Sequence, residues 1–572
     1  MMRLTRSIVL VALLVGSAVA QESRPASAAA RRIDPRSAGI GDWVADVTAQ
    51  TANGETVALS TVAAQKPLVI SFLGASDAYG PAAVERFKAL IDAHSERIAF
   101  LEPTAPILGL RHGELMVLDA KRTVVYRGIL DDDPAGRSPR RHYVRDAIEA
   151  ALAGLPAPIP SADFATRSSN PLIAAYEEAD LTWHRQISRL AQRRCQACHH
   201  EGGNGPFRLE SAVDFQKRKT MIASVVESGQ MPPWFAAKTS HAFQNDRSLS
   251  EREKAALLGW IAKDCPSGDP ADAPLPRPFA KDWSIGKPDA VVAIPKPNKV
   301  PAAGEVRYRY HWVKTDFGED KWIQKMEIRC SAPAVVHHVL VFLEEPPPEG
   351  RRYSRGRGQE GLTGYFAGLV PGETTSIYLD GRAKLLPKGA TLKFQIHYTP
   401  NGKATEDLTE IGFIFAAKAP EVEITTKAAS NVMLKIPPQD PAYTQSATFR
   451  FREDGWIYSF APHMHLRGKA FRYDLALPDG KKITPLDVPH FDFNWQFRYE
   501  LTTPLFVPKG TKLTATAVFD NSPNNPYNPD PTAAVRFGDQ TSDEMLIGYF
   551  EFEPAGKSAA KSPETKEDSE EK

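Results

Sequence analysis

The chain has 572 residues, enough for roughly three to five domains of ordinary size. Its 70 Lys and Arg residues nearly balance its 69 Asp and Glu residues, and the formal net charge is +1. This balance excludes the strongly basic field that binding to nucleic acid or to an anionic membrane requires.

The first 20 residues have the pattern of a secretory signal peptide. Arg3 and Arg6 precede an apolar stretch at 7–15, and Ala18 and Ala20 form an A-x-A-like cleavage site. The apolar stretch is shorter than the ~20 residues of a membrane-spanning helix. The sequence therefore predicts an exported protein, periplasmic or secreted, with no membrane span.

Residues 38–156 alternate strand-like and helix-like patterns, which is typical of an α/β domain. Strands are predicted at 68–73, 98–101, 115–118 and 123–126, and helices at 84–91 and 143–152. The region resembles the thioredoxin-like redoxin family, including its VLDAKRTVVYRG hairpin. Where that family has its reactive cysteine this chain has the sequence GASD at 74–77, and its first cysteine is Cys195. The resemblance therefore implies a degenerate domain without thiol chemistry, either a structural or docking remnant or a binder of something unrelated to thiols.

The sequence CQACHH contains a C-x-x-C-H motif. This spacing presents two thiols and an imidazole to one edge and one face of a porphyrin. It predicts a covalently bound haem c, with thioether bonds from Cys195 and Cys198 and with His199 as an iron ligand. The alternative is a thioredoxin-type redox pair, but that pair follows a strand. Here the motif ends an amphipathic helix marked by Trp183 and Leu190.

A second axial ligand to the iron is expected, often a methionine. Met231 begins the rigid sequence MPPW and is the preferred candidate, whereas core packing is the simpler role for Met221 in a helix-like stretch. Ser250 and Glu253 form a capping box that starts a further helix. Residues 170–268 are therefore predicted to form an all-α cytochrome c domain.

Short β-rich stretches separated by Gly and Pro follow, which favours antiparallel β-sandwiches. Two are predicted, at 285–418 and 420–555. The polar, aromatic-free residues 556–572 are predicted to be a disordered tail. The predicted fold class is thus multidomain: an α/β thioredoxin-like domain, an all-α cytochrome c domain and then two antiparallel β-sandwich domains.

Histidines in the two sandwiches are candidate metal ligands. His337 and His338 are adjacent in an apolar strand, so joint ligation requires a bulge or twist there. His397 projects from the polar face of another strand, and His463 and His465 share one face of a third. Imidazoles, alone or with a thioether, suit copper better than zinc.

Several stretches look like those of the copper type II, ascorbate-dependent monooxygenases: VVHHVLVF, QIHYTPNGK, APHMHLRGKAFRY, DFNWQFRY, FDNSPNNPYNPDP and GDQTSDEMLIGYF. That family includes peptidylglycine α-hydroxylating and dopamine β-monooxygenases, and the resemblance spans 285–555. It implies two copper ions. One, the electron-storing copper, would be held by His337, His338 and His397. The catalytic, O2-binding copper would be held by His463, His465 and Met545.

One of these ligands has an alternative role, and some other candidate residues have no metal role. Core packing with Ile547 and Tyr549 is the alternative role for Met545, and His490 is interpreted as structural. Cys265 and Cys330 either pair or remain free.

The sequence thus favours an exported, haem-linked copper monooxygenase that hydroxylates a C–H bond with O2. Its substrate is unknown, and an electron donor to the haem is implied. The alternative is a non-catalytic periplasmic copper-binding or electron-transfer protein. A type I copper oxidase or reductase is disfavoured because it needs a His2Cys set.

Overall fold

The computed structural model describes residues 30–32, 35, 38–73, 79–105, 107–133, 139, 141–164, 181–238, 241–280, 282–344, 364–378 and 381–555. The predicted signal peptide, residues 74–77 and the predicted tail lie outside these ranges. Within them, no helix is both long enough and apolar enough to cross a membrane.

The N-terminal region is built on a mixed sheet. Its strands are β1 (Ala30–Arg32), β2 (Thr48–Gln50), β3 (Thr56–Ala58), β4 (Leu68–Phe72), β5 (Ala99–Leu101), β6 (Glu114–Leu118), β7 (Val124–Gly128) and β8 (Ser161–Phe164). Six of them form one sheet in the order β1-β8-β7-β6-β4-β5, and β2 pairs with β3. Strand β4, of sequence LVISF, is buried along its whole length, as a continuous apolar run in a central strand should be.

Helices cover this sheet. They are α1 (Leu59–Ala63), α2 (Pro81–His94) and α3 (Tyr143–Ala153). Pro81 occupies the first turn of α2, where a missing N–H costs nothing. Gly154 ends α3 in the left-handed conformation that favours glycine.

A group of short helices follows. A π-helical turn at Trp183–Ile187 leads into α4 (Ser188–Arg194), and the others are α5 (Ala212–Gln216), α6 (Lys219–Glu227) and α7 (Glu251–Ala262), with a 3-10 turn at Pro270–Asp272. Trp183, Phe215 and Trp260 form the aromatic centre of their shared core. The predicted capping box of Ser250 and Glu253 is present at the start of α7.

The segment between α6 and α7 belongs to the β structure instead of a separate helical domain. Ala237 N donates to Asp487 O at 2.8 Å, and Gln244 N donates to Glu500 O at 2.8 Å. Trp234 and Phe243 pack into the core of the C-terminal sheets. These residues have no helical periodicity, and their partners lie more than two hundred residues away, so a reading of local patterns missed them.

The first β half contains β9 (Ala290–Ala293), β10 (Asn298–Val300), β11 (Arg309–Lys314), β12 (Lys321–Cys330), β13 (Val336–Glu344), β14 (Tyr365–Leu369), β15 (Thr375–Ile377), β16 (Arg382–Leu386), β17 (Thr391–Tyr398), β18 (Thr405–Asp407), β19 (Thr409–Phe415) and β20 (Val422–Glu423), with a 3-10 turn at Pro333–Val335. One sheet has the order β11-β17-β13-β14, the other β20-β16-β12-β19-β9 with β15 beside β12, and β10 pairs with β18.

The second β half contains β21 (Thr425–Ser430), β22 (Lys435–Ile436), β23 (Tyr443–Arg450), β24 (Gly455–His463), β25 (Gly468–Ala476), β26 (Lys482–Val488), β27 (Tyr499–Val507), β28 (Lys512–Phe519), β29 (Val535–Arg536) and β30 (Ile547–Pro554). Its sheets have the orders β21-β30-β24-β27 and β23-β28-β25-β26, and β22 pairs with β29.

The predicted fold class is wrong. The described part of the chain is mostly β and is not a series of a thioredoxin-like domain, an all-α cytochrome domain and two antiparallel sandwiches. The α6–α7 segment is incorporated into the C-terminal β core, and β20 pairs in parallel with β16, so one β half is not purely antiparallel. Local periodicity identified many of the elements, but the partners of each element depend on contacts distant in sequence.

Candidate metal centre

Three histidines of the first β half converge. His338 lies directly opposite His397 in the β13–β17 pairing, and the register of β13 shifts between Val336 and His338. This irregularity at His337 turns neighbouring side chains toward one point, which a flat strand does not allow. One ring nitrogen from each of His337, His338 and His397 lies within 4.8 Å of the others.

Two of the ring nitrogens in this first set have no hydrogen-bond partner in the protein. His337 Nδ1 lies 3.0 Å from His338 Nδ1, and His337 Nε2 donates to Asn494 Oδ1 at 2.9 Å. His338 Nε2 and His397 Nδ1 are buried with no hydrogen-bond partner. Buried polar atoms are almost always satisfied, so orphaned imidazole nitrogens in a convergent set fit a metal ion.

Burial keeps these imidazoles neutral. It lowers the pKa of His337, and it lowers the pKa of His397 to about 3. Burial also lowers the pKa of His338 well below its usual value, and the neighbouring histidines add to this. Neutral imidazole is the form that binds a metal, so protons compete weakly for this set.

The second set lies at the end of β24. His463 is the last residue of the strand, and His465 follows it in the next turn, with ring centroids 5.2 Å apart. His463 Nδ1 donates to Gln496 Oε1 at 2.5 Å, and His465 Nδ1 donates to Asp543 O at 3.1 Å. Both rings therefore keep Nε2 available as a ligand atom. Burial lowers the pKa of His463 to about 4 and that of His465 to about 3.

Glu544 joins Met545 to this second set. Glu544 Oε2 accepts from His465 N at 2.8 Å and from Met545 N at 3.2 Å, while Oε1 accepts from Arg467 N at 2.6 Å. Burial raises the pKa of Glu544 to about 7 despite these bonds. Met545 is 3% exposed and packs with Ile547 and Tyr549. The backbone N–H groups of Met545 and His465 thus share one carboxyl oxygen, while the Met545 side chain packs with Ile547 and Tyr549.

Phe493 lies between the two sets. Its ring stacks on His337 with centroids 5.2 Å apart, and its centroid is 6.2 Å from that of His465. Sequence reasoning assigned no role to Phe493, Asn494, Gln496 or Glu544. The available signal was the placement of polar amides within the aromatic stretch DFNWQFRY, and of a glutamate directly before Met545.

The C-x-x-C-H motif follows α4 directly. His199 Nδ1 donates to Phe207 O at 2.9 Å, which leaves Nε2 free to bind iron. A Cβ on Gly205 would lie 2.7 Å from His199 Nδ1, so the loop needs glycine beside the ring. Burial raises the pKa of the Cys195 thiol to about 12 and also raises that of Cys198. The residues fit a haem held by two thioethers and one imidazole.

The motif also contacts the first β half. A Cβ on Gly372 would lie 2.7 Å from Cys198 Sγ, so the thiol lies against this turn after β14. Arg247 Nη2 donates to Gly372 O at 2.8 Å, and its guanidinium covers the ring of Phe497 at 4.8 Å. Arg247 therefore links the surroundings of Cys198 to the loop that carries Gln496.

The candidate axial methionines differ in exposure. Met231 is half-buried in the turn after α6, where its N donates to Val225 O at 2.9 Å. Met221, expected in the core, is instead 44% exposed on α6. The outward face of this short helix is turned to solvent, a distinction that the local pattern did not reveal.

The remaining cysteines and His490 lie outside both sets. All four cysteines are free, so Cys265 and Cys330 do not pair. Cys265 is buried in the helical core, and Cys330 Sγ lies 3.6 Å from Thr409 Oγ1. His490 is exposed.

Comparison with known proteins gives no family. No protein-family model and no curated protein matches the chain. Among solved structures, the major capsid protein P2 of bacteriophage PM2 has a TM-score of 0.20 and 10% identity, over 46% of this chain and 97% of that one. The STIV MCP has a TM-score of 0.18 and 10% identity, over 41% and 97%. A structure of infectious bursal disease virus Gx strain has a TM-score of 0.15 and 8% identity, over 48% of this chain and 75% of that one. Scores this low give no information on fold or function.

Proposed function

We propose that the chain is an exported copper-dependent monooxygenase that hydroxylates a C–H bond with O2. The observation that carries this proposal is the pair of histidine sets on either side of Phe493, one of which contains buried imidazole nitrogens without partners. Two copper ions would supply redox chemistry with O2. The chain's own residues hold the rings neutral and orient them.

The two sets have different roles in this proposal. His337, His338 and His397 offer three imidazoles and hold the electron-storing copper. His463 and His465 offer two imidazoles, and Met545 adds a thioether, which favours the reduced copper that meets O2. The low pKa values of His397 and His463, at about 3 and about 4, keep these ligands deprotonated at neutral pH.

The C-x-x-C-H motif adds a covalently bound haem c to this proposal. Cys195 and Cys198 form its thioethers, and His199 and Met231 are its axial ligands. Hydroxylation with O2 consumes two electrons from outside the protein. The role of the haem is to receive these electrons from an external donor and pass them to the copper sites. The contact between Cys198 and the Gly372 turn supports a haem held against the β halves. The predicted signal peptide supports a periplasmic or secreted location.

The test measures metal content, O2 uptake and product on the full-length chain. We expect two copper ions and one covalent haem per chain, and O2 consumption by reduced protein that rises with a C–H substrate from a panel and yields a hydroxylated product. His465→Ala should remove one copper and abolish hydroxylation. The exposed residue His490 provides the control, because His490→Ala should change neither.

The opposite result favours a non-catalytic copper-binding or electron-transfer protein. Reduced protein that binds two coppers, consumes no O2 with any substrate and forms no product would contradict the monooxygenase. A chain that binds no copper would contradict both the monooxygenase and the copper-binding protein.

A further inference from the structure

One loop of the second β half contacts both histidine sets. Residues 492–497, here the 492–497 loop, connect β26 to β27 and have the sequence DFNWQF. Asn494 Oδ1 accepts from His337 Nε2 at 2.9 Å, and Gln496 Oε1 accepts from His463 Nδ1 at 2.5 Å. Phe493 separates the two sets. Phe493, Asn494 and Gln496 thus contact candidate metal ligands in both β halves: His337 in the first half and His463 in the second.

The loop fixes the orientation of both amides. Asn494 Nδ2 donates to Asp492 Oδ1 at 2.8 Å, and Gln496 Nε2 donates to Phe493 O at 3.2 Å. Since each NH2 group is held within the loop, each amide oxygen is turned toward its histidine. The backbone bond from Trp495 N to Asp492 O, at 2.9 Å, closes the turn that carries them.

These amides select opposite tautomers in the two sets. Asn494 accepts a hydrogen bond from the Nε2–H of His337, which leaves the unprotonated Nδ1 facing His338. Gln496 accepts a hydrogen bond from the Nδ1–H of His463, which leaves Nε2 unprotonated. Outer partners of this kind fix the ring and tautomer of a metal-binding histidine.

The contact from Asn494 to His337 also crosses between the halves. His337 lies on β13 and Asn494 lies 157 residues later, so this hydrogen bond orients the His337 ring only when the second half is docked on the first. Arg247 over Phe497 holds the other end of the loop. Movement of the loop therefore changes both sets at once.

We propose that Asn494 and Gln496 are positioning residues and that the 492–497 loop couples metal binding at the two sets. This coupling rests on one part of the proposed function, copper binding at both sets, and does not depend on hydroxylation. A metal bound at Nε2 of His463 would hold the Nδ1–H of that ring on Gln496 Oε1 and would so stabilise the loop conformation that already presents Asn494 to His337. Filling one set therefore raises the affinity of the other, and linkage makes the effect reciprocal.

The test is competition between the full-length chain and a Cu(I) chelator, which needs no turnover. His338→Ala and His465→Ala assign the two binding steps to the first and second sets. Asn494→Leu should weaken the first set by about 10- to 100-fold, and Gln496→Leu should weaken the second set to a similar degree. Each should also weaken the other set by a smaller factor, while stoichiometry at saturation stays unchanged.

Two further variants separate positioning from a folding defect. The double variant Asp492→Asn with Asn494→Asp keeps the same hydrogen-bonding groups and the same charge, and should restore affinity. Asn401→Leu, on an exposed turn of the first half, should have no effect. Effects confined to each residue's own set, or wild-type affinity in Asn494→Leu, would overturn the proposal. A wild-type chain that binds no Cu(I) would overturn the proposed function and this coupling together.

Discussion

The two histidine sets differ in how far the protein satisfies them by itself. In the first set, His338 Nε2 and His397 Nδ1 are buried without a partner. In the second, both histidines donate Nδ1 protons to oxygen, and Glu544 holds the surrounding backbone. The first set is therefore incomplete as protein alone, whereas the second has most of its geometry fixed before any metal arrives.

This difference has a cost in stability. A buried polar group left without a hydrogen bond costs about 1–3 kcal/mol, and the first set contains two such atoms. The comparison therefore predicts that metal stabilises the first half more strongly than the second. It also predicts that the second set is more sensitive to loss of its supporting residues.

The largest effect on copper binding is expected from His338→Ala. It should remove one of two coppers, and because it also removes an unsatisfied buried nitrogen, the metal-free protein should lose little stability. The stabilisation by copper, measured as the rise in Tm on metal addition, should fall sharply because ligand binding to the folded state is its source. His490→Ala serves as the control. A large loss of stability in the metal-free His338→Ala protein would break the comparison, because it would show that the first set is satisfied without metal.

Met545→Leu separates packing from ligation in the second set. Leucine keeps the volume in the cluster with Ile547 and Tyr549, so the free energy of unfolding should change by less than about 1.5 kcal/mol. Loss of the thioether should weaken Cu(I) binding at the second set, and the first set should weaken only by the smaller factor that the 492–497 loop transmits. Chelator competition and denaturant unfolding measure the two effects. Unchanged Cu(I) affinity would assign Met545 to the core alone.

Local patterns in the sequence predicted many elements of this structure. The capping box of Ser250 and Glu253 and the buried strand at 68–73 depend on neighbouring residues, and both have structural counterparts. The requirement for an irregular strand at His337 followed from the alternation of side chains, and the register of β13 shifts there. Such features are encoded within a few residues.

Contacts distant in sequence could not be predicted in this way. The α6–α7 segment joins the C-terminal β core through Phe243, and β20 pairs with β16, so the assembly differs from a row of independent domains. The bond between Asn494 and His337 spans 157 residues, and no local period marks it. The histidines stood out by residue type, whereas their supporting amides and Glu544 resembled ordinary polar residues.

The smallest effect on copper affinity is expected from Glu544→Gln, which tests the support of the second set. The carboxyl oxygens of Glu544 accept from three backbone N–H groups, those of His465, Arg467 and Met545. An amide retains one acceptor oxygen and adds an NH2 group that faces an N–H donor. The turn should therefore loosen, with a cost of about 1–3 kcal/mol for the lost buried bonds.

The same loosening should reduce copper affinity at the second set by about 10-fold, the lower end for loss of an outer contact. The first set should lose less affinity, only the smaller factor that the 492–497 loop transmits, because the described hydrogen bonds of its histidines do not include Glu544. Glu406→Gln, on an exposed strand position of the first half, is the matched control and should leave stability and affinity within about 0.5 kcal/mol of the wild type. Equal weakening of both sets by Glu544→Gln would mean that Glu544 supports the fold as a whole. Weakening mainly at the second set would show that its geometry is fixed by the protein, while that of the first depends on the metal.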